Sequence, residues 1–513
     1  MTDLLNGETG RHGHTMANSP FGRGDGDIIL LTSDLVRFSV HKIILSLSSP
    51  VFSDMLTLGE NSGHPDDLIS ESGIPMVPVT ETSDSLDIFL RLIYPTCRPP
   101  VVGFGEIPSI MEVGRKYQAT GVIKFATKAL QAHIDEDPLT VFGVACRMNL
   151  EVIARAAAEH VVRLPAHTFS TFYYVPEMDQ ISAGSFFRLL WHIRRPNAAT
   201  TKEYWKNFSF VTRNPSDGTT SAFNLGASHR WKCGEALISS WCTEANPFER
   251  HPPDLTVRCS DGVDAPAHCL VLSLASPVLS DLIAASSHEL PAVIHVTEPS
   301  RLVYYLLLAC YGHTYPWVHA SPSISDVDKF SCFFQAMHVF TQYGLRSALQ
   351  QSRVLFQSLL KANPLRSYFV AYALGWKAEA RVAATLAVSD PKIDISTAYV
   401  AEMESVSAKA YLNLLKYDRD VAASRNTIFN TYNNARQLPD HLYPDTARNL
   451  IKGFYTYPSL KFREDEKVCI AVAQREIEKE TGNLGLTLNL IKESRNMEAA
   501  LQTALSQCVL ELD

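Results

Sequence analysis

The feature that most constrains this chain of 513 residues is an internal duplication. Residues 27–54 align with residues 254–281 without a gap, at an offset of 227, and 13 of the 28 aligned positions are identical. The best-matched stretch pairs HKIILSLSSPVFSD, from His41, with HCLVLSLASPVLSD, from His268. Three further similar blocks follow in the same order in both halves. The chain is therefore built from two copies of one module.

Composition indicates that both copies fold. Hydrophobic residues make up 46% of the chain and charged residues 19%, which argues against general disorder. The net charge of −8 gives no overall attraction to nucleic acid or to anionic membranes. No segment has the pattern of a signal peptide or a membrane span, and the ten cysteines lack the regular spacing of a disulfide framework. We therefore expect a cytoplasmic or nuclear protein.

Local patterns are the same in both copies and predict an α-rich α+β fold. Strands are predicted at 27–32, 36–40 and 76–80, and in the second copy at 254–259 and 263–267. Residues 41–56 carry apolar residues at helical spacing, and Pro50 divides them into two short helices that meet at Ser-Ser-Pro. Further helices are predicted at 83–94, 108–118, 122–133, 139–147 and 151–164.

The motif around the first predicted helix resembles the BTB/POZ domain. In that family a typical string is Phe-x-Ala-His-Lys-x-x-Leu followed by Ser-x-x-Phe-x-x-Met. The matching residues here are Asp27, Phe38, His41, Leu45, Ser49, Phe52 and Met55, with Asp254, His268, Leu272, Ser276 and Leu279 in the second copy. The second copy departs from the motif at Ala265, Cys269 and Leu279. The extension that begins Asp137-Pro-Leu-Thr-Val-Phe is similar to that of the expanded BTB proteins of filamentous, basidiomycete-type fungi.

The resemblance implies two modules, each a cluster of helices on a small sheet followed by a helical extension. The predicted boundaries are a disordered tail at 1–24, a first BTB-like domain at 25–133 with its extension at 134–195, a linker at 196–250, a second domain at 251–360 with its extension at 361–425, and a C-terminal helical region at 426–513. The family forms homodimers or heterodimers and often recruits targets to a cullin-type ubiquitin ligase. We favour pairing within the chain over pairing between chains, because a linker of roughly 50 residues costs little to close.

The ionisable and metal-binding side chains of the repeated motif and the linker are better explained by structural roles than by catalysis. His41 and His268 each lack a Ser, Cys or Asp partner at a catalytic spacing, so we interpret them as structural. Asp27 and Asp254 are expected to cap a turn or a strand by bonding nearby backbone amides. Cys233, Cys242 and His251 lack the spacing of zinc ligands, so no metal is expected, and no cofactor motif is present.

The leading functional hypothesis is a protein–protein interaction adaptor without enzymatic activity. Tyr304, Tyr305, Phe333 and Phe334 are open to two interpretations, as core residues or as a partner-binding surface. A transcriptional co-regulator is an alternative that would act through partner proteins, because no DNA-binding motif is present. An enzyme with an unrecognised site is the least favoured alternative, because no catalytic constellation is found.

Overall fold

The chain forms two compact units. The structure is a computed structural model that describes residues 15–62, 73–95, 103–164, 173–194, 209–211, 251–286, 291–313, 326–390, 392–434, 499–500, 503–504 and 506–512. The first unit comprises residues 1–180, 192–202 and 209–213, and the second comprises 181–191, 203–208 and 214–513. Helices predominate and the sheets are small, which confirms the predicted α-rich α+β class.

The first unit is a small sheet followed by helices. In chain order its elements are β1 (Thr15–Met16), β2 (Ile28–Leu31), β3 (Val36–Val40), α1 (Lys42–Ser48), α2 (Pro50–Ser62), β4 (Met76–Pro78), α3 (Ser83–Ile93), α4 (Ile107–Lys116), α5 (Thr120–Ala132), α6 (Pro138–Arg147) and α7 (Glu151–Arg163). The strand order is β1-β3-β2-β4. Strands β2 and β3 pair antiparallel as a hairpin, and β4 adds to β2 in parallel. The next helix, α8 (Ala183–Arg194), belongs to the second unit up to Trp191.

The second unit contains the same series of elements. They are β5 (Leu255–Arg258), β6 (Asp264–Ala267), α9 (Cys269–Ala275), α10 (Pro277–Ala284), β7 (Ala292–His295), α11 (Ser300–Cys310), α12 (Asp326–Gln342), α13 (Arg346–Ala362), α14 (Pro364–Ala373), α15 (Lys377–Ser389) and α16 (Ala408–Asn434). The strand order β6-β5-β7 corresponds to β3-β2-β4 of the first unit, with the same antiparallel and parallel pairings.

The hairpin turn shows how the two copies differ at one backbone position. Leu35 adopts a φ of +65° between β2 and β3, and the corresponding Gly262 adopts a φ of +80° between β5 and β6. Glycine takes this left-handed conformation without a steric cost, whereas a leucine there is strained. The second copy therefore has the better turn residue.

The predicted disorder of residues 1–24 is wrong from Thr15 onward. Strand β1 pairs in parallel with β3, and Phe21 is buried. The Phe21 ring lies edge-on to Tyr94 at a centroid distance of 5.1 Å, and the Arg91 guanidinium lies over it. Burial of this ring and the pairing of β1 with β3 both contribute to holding the segment in place.

The predicted boundary at residue 425 is also wrong, because α16 runs through it without interruption. The C-terminal residues return to the second unit, where Leu510 is buried and the Glu511 carbonyl accepts a hydrogen bond from Asn413 Nδ2 at 3.0 Å. Most of the predicted linker at 196–250 and most of the predicted C-terminal helical region at 426–513 lie outside the described residues.

Candidate interaction surface

The first helix of each module begins at the same polar junction. Asp27 Oδ1 accepts a hydrogen bond from the Lys42 backbone N–H at 2.7 Å, and Asp254 Oδ1 accepts one from Cys269 N–H at 2.7 Å. These carboxylates satisfy an amide at the start of α1 or α9 that has no partner within the helix. Both aspartates therefore cap the start of a helix 15 residues further along the chain, rather than a turn or strand.

The paired histidines contact a tyrosine rather than a catalytic partner. The backbone N–H of His41 donates to the Tyr94 hydroxyl at 2.8 Å, and His41 Nδ1 lies 3.1 Å from the same oxygen. His268 and Tyr311 form the same arrangement at 2.9 and 2.8 Å. This contact ties the strand-to-helix junction to the end of α3 or α11.

The second helix of each module begins at a buried serine followed by proline. Ser49 Oγ accepts from Phe52 N–H at 3.1 Å and donates to the Tyr117 carbonyl at 2.5 Å. Ser276 makes the same two bonds, to Leu279 N–H at 3.0 Å and to the Tyr343 carbonyl at 2.6 Å. Because the side chain caps the helix and bonds a distant loop at once, it fixes the position of α2 or α10.

Around these caps the remaining motif residues form the core. Phe38, Leu45 and Phe52 are buried in the first unit, and Leu272 and Leu279 are buried in the second. The Phe52 ring stacks on Tyr117 at a centroid distance of 4.2 Å. Met55, which lies within α2, is only half-buried.

A carboxylate–tyrosine pair also recurs in both modules. The Tyr117 hydroxyl donates to Glu81 Oε2 at 2.7 Å, and the Tyr343 hydroxyl donates to Glu298. Burial by itself raises the pKa of each carboxyl, but the hydrogen bonds that it accepts outweigh burial and hold its pKa below the usual 4.5. Burial and the adjacent carboxylate raise the pKa of both tyrosines.

The lowered pKa of Glu298 predicts a pH dependence of stability. A carboxyl with a depressed folded-state pKa stabilises the fold above its unfolded-state pKa, and the contribution is lost as the pH falls through the folded-state pKa. The free energy of unfolding is therefore expected to decrease below about pH 4.5 and to decrease less steeply in Glu298→Gln. Urea unfolding between about pH 7 and about pH 3 tests this, and equal slopes for the two proteins would contradict it.

The outer face of the first helix carries exposed apolar side chains at matching positions. Ile43 and Leu47 on α1 are 64% and 81% exposed, and Leu270 and Leu274 on α9 are 69% and 79% exposed. Each pair is spaced by four residues and therefore lies on one helix face. We call each pair, Ile43 with Leu47 and Leu270 with Leu274, the stripe of its module. Val278 and Leu282 on α10 are also partly exposed.

The four aromatic residues that the sequence offered as a partner surface do not form one. Tyr305 and Phe333 are buried, and Tyr304 and Phe334 are half-buried. Phe333 stacks on Phe356 at a centroid distance of 5.4 Å, inside the second unit. Since α11 is apolar on most of its surface, it packs as a core helix.

A short stretch of the predicted linker is an integral part of the first unit. The Glu151 carboxylate accepts hydrogen bonds from Ser209 Oγ, Phe210 N–H and Val211 N–H at 2.8 to 3.1 Å. Phe210 is fully buried and lies edge-on to Phe142. This anchor was not predicted from the sequence, where Phe210 is one of several aromatic residues in a polar segment.

Neither a metal site nor a membrane span is found in the described part of the chain. No group of three His, Cys, Asp or Glu side chains there could hold an ion. Cys233 and Cys242 lie outside the described residues. Among the described helices, none is long and apolar enough to cross a bilayer.

Comparison with known protein families gives a match in the part of the first unit where the motif is strongest. The BTB/POZ domain family matches residues 25–134. This segment of the chain is a BTB/POZ domain. No curated protein matches the chain. The BTB domain thus includes the α1–α2 pair, both polar caps and the first stripe.

BTB domains are interaction modules that mediate protein–protein contacts and dimerisation. The resemblance inferred from Phe38, His41 and Phe52 is therefore confirmed for the first module. The polar contacts of its α1–α2 pair hold that helix pair in place and leave the apolar side chains of the stripe accessible.

Proposed function

We propose that the chain is a protein–protein interaction adaptor in which the second unit carries a further BTB module. The observation that carries this proposal is the recurrence of a whole hydrogen-bond network. The Asp–amide cap, the His–Tyr contact and the Ser–Pro cap have the same donors and acceptors in both units. A side-chain network of this kind recurs when the backbone around it recurs, which supports the same fold in residues 251–362.

In place of the pairing within the chain that the linker length favoured, each stripe is proposed to dock on a BTB module of a second copy of the chain. Leu47 and Leu274 would otherwise leave large apolar side chains in water at the same position of both modules. A surface that pairs with its own copy about a two-fold axis is self-complementary, and one apolar helix face can satisfy that condition. The test is the molar mass in solution of the wild type and of a variant with charged residues in both stripes.

The adaptor is further proposed to bring targets to a cullin-type ubiquitin ligase. Its support is the BTB domain at residues 25–134, because the resemblance to that family implies an adaptor that often recruits targets to such a ligase. We place this role in the cytoplasm or nucleus, where the thiols of Cys259, Cys269 and Cys310 stay reduced.

A binding titration against the N-terminal domain of a BTB-binding cullin tests the ligase role. Saturable binding is expected at micromolar concentrations or below, with a stoichiometry that counts the modules engaged. Absence of binding at tens of micromolar would reject the ligase role and leave the pairing of modules as the adaptor function.

A further inference from the structure

The second unit contains a pairing between one segment from each copy of the repeat. The bridge joins Ser182, just before α8, to Ser407, just before α16, in antiparallel orientation. Ala183 N–H donates to the Val406 carbonyl at 2.8 Å, and Ala408 N–H donates to the Ile181 carbonyl at 2.8 Å. In the alignment of the two copies, residues 181–183 correspond to residues 406–408, at an offset of 225.

The pairing is therefore symmetric, because Ser182 faces its counterpart Ser407 and the bond from Ala183 to Val406 corresponds to the bond from Ala408 to Ile181. The same holds for side chains, because Phe186 corresponds to Tyr411 and their rings lie edge-on at a centroid distance of 6.0 Å. Reciprocal contacts between equivalent positions are the mark of a two-fold, dimer-type interface. The contact is well packed, since Ile181, Phe186 and Tyr411 are all buried.

One feature of the pairing is not symmetric. Arg188, which is 3% exposed, forms an ion pair with Glu404, and the Glu404 carboxylate also accepts from Ser182 Oγ at 2.8 Å and from Tyr399 at 2.7 Å. The residue that corresponds to Arg188 in the second copy is Asn413, which donates instead to the Glu511 carbonyl.

This asymmetry favours pairing of the first segment with the second over pairing of either segment with its own copy. If two copies of the second segment paired, Asn413 would take the position of Arg188, and the partly buried Glu404 would lose its cation. If two copies of the first segment paired, Arg188 would meet Asp179, whose side chain is one methylene shorter than that of Glu404. Leaving a buried charge without its partner is strongly unfavourable. Only the unlike pair combines the arginine with the longer carboxylate.

We infer that segments 181–191 and 406–416 form a dimer-type interface within one chain, in which each segment binds the corresponding segment of the other copy in preference to itself. This interface is expected to hold the N- and C-terminal parts of the chain together even when the peptide chain between them is cut. This inference does not depend on the stripes or on cullin binding. It rests on the backbone bridge, the buried aromatic contact and the Arg188–Glu404 ion pair.

The test cuts the full-length chain and measures whether the two fragments stay bound. A protease recognition sequence is inserted between residues 212 and 250, and the cleaved protein is analysed by size exclusion with light scattering. We expect both fragments to elute together in a 1:1 ratio. Fragments that separate, or that each associate only with themselves, would overturn the inference.

A matched pair of glycine substitutions tests whether the two fragments associate through segments 181–191 and 406–416. Gly184 and Gly121 are each the second residue of a helix, α8 and α5. A Cβ atom on Gly184 would collide with the Glu404 carboxylate that Arg188 and Tyr399 hold in place, whereas a Cβ on Gly121 meets nothing within 4 Å. Gly184→Ala is expected to raise the dissociation constant of the cleaved pair about tenfold or more.

Gly121→Ala is expected to leave that dissociation constant within about twofold of the wild-type value. Equal dissociation constants for the two variants would show that the fragments associate through another surface and would overturn the inference.

Discussion

Replacing Arg366 with methionine is expected to lower the free energy of unfolding by about 3–5 kcal/mol. Arg366 and Glu402 form an ion pair in the second unit in which both side chains are less than a tenth exposed, with Arg366 Nε 3.0 Å from Glu402 Oε2. The Arg366 guanidinium also lies over the Phe330 ring at 5.0 Å. Removing the cation leaves a carboxylate buried without its partner, which is the source of the large cost.

Replacement of both partners distinguishes this explanation from a general loss of packing. The double variant Arg366→Met, Glu402→Met buries no charge, so its stability is expected to lie closer to the wild type than that of Arg366→Met. Urea unfolding followed by circular dichroism measures all three proteins. If the double variant were less stable than the single variant, the ion pair would not be the cause.

Replacing either capping serine with alanine is expected to cost about 2–4 kcal/mol in its own module. Ser49→Ala and Ser276→Ala each leave a backbone N–H and a carbonyl without their partner at a fully buried position. Because the two sites have the same contacts, the two losses are expected to be similar. Urea unfolding of the two variants gives both values.

The control for the serine substitutions is Ser358→Ala. Ser358 lies on an exposed face of α13, and its hydroxyl bonds only within its own helix, to the Leu355 carbonyl. Its loss is expected to change stability by no more than about 0.5 kcal/mol. A loss at Ser49 or Ser276 as small as the loss at Ser358 would show that the cap does not hold α2 or α10 in place.

Much of the local structure could be predicted because it depends on neighbouring residues. The division of residues 41–56 into α1 and α2 follows from Pro50, which begins a helix well and cannot continue one. The hairpin at Asp261-Gly262 follows from the left-handed backbone that glycine tolerates. Because the sequence is duplicated, an element predicted in one copy is also expected at the corresponding residues of the other.

Features that depend on distant residues could not be predicted in the same way. Leu47 belongs to a helical apolar pattern, yet it is 81% exposed, because periodicity defines a face and does not say what covers it. Phe21 and Phe210 anchor polar segments to the first unit through rings that are far away in sequence. The ion pair of Arg188 with Glu404 spans 216 positions, and no local pattern indicates it.

The adaptor account is tested most directly by the molar mass of the purified chain in solution, measured by light scattering over a range of concentrations. For the wild type, the mass is expected to rise above that of one chain with increasing concentration. The stripe variant Leu47→Glu, Leu274→Glu is expected to stay at the mass of one chain, because burying the new carboxylates opposes docking.

The matched control is Val152→Glu, Val354→Glu, which changes equally exposed valines on α7 and α13, outside the stripes. This control is expected to associate like the wild type. A wild-type mass that stays at one chain at every concentration, or a stripe variant that associates as strongly as the control, would contradict docking between chains through the stripes.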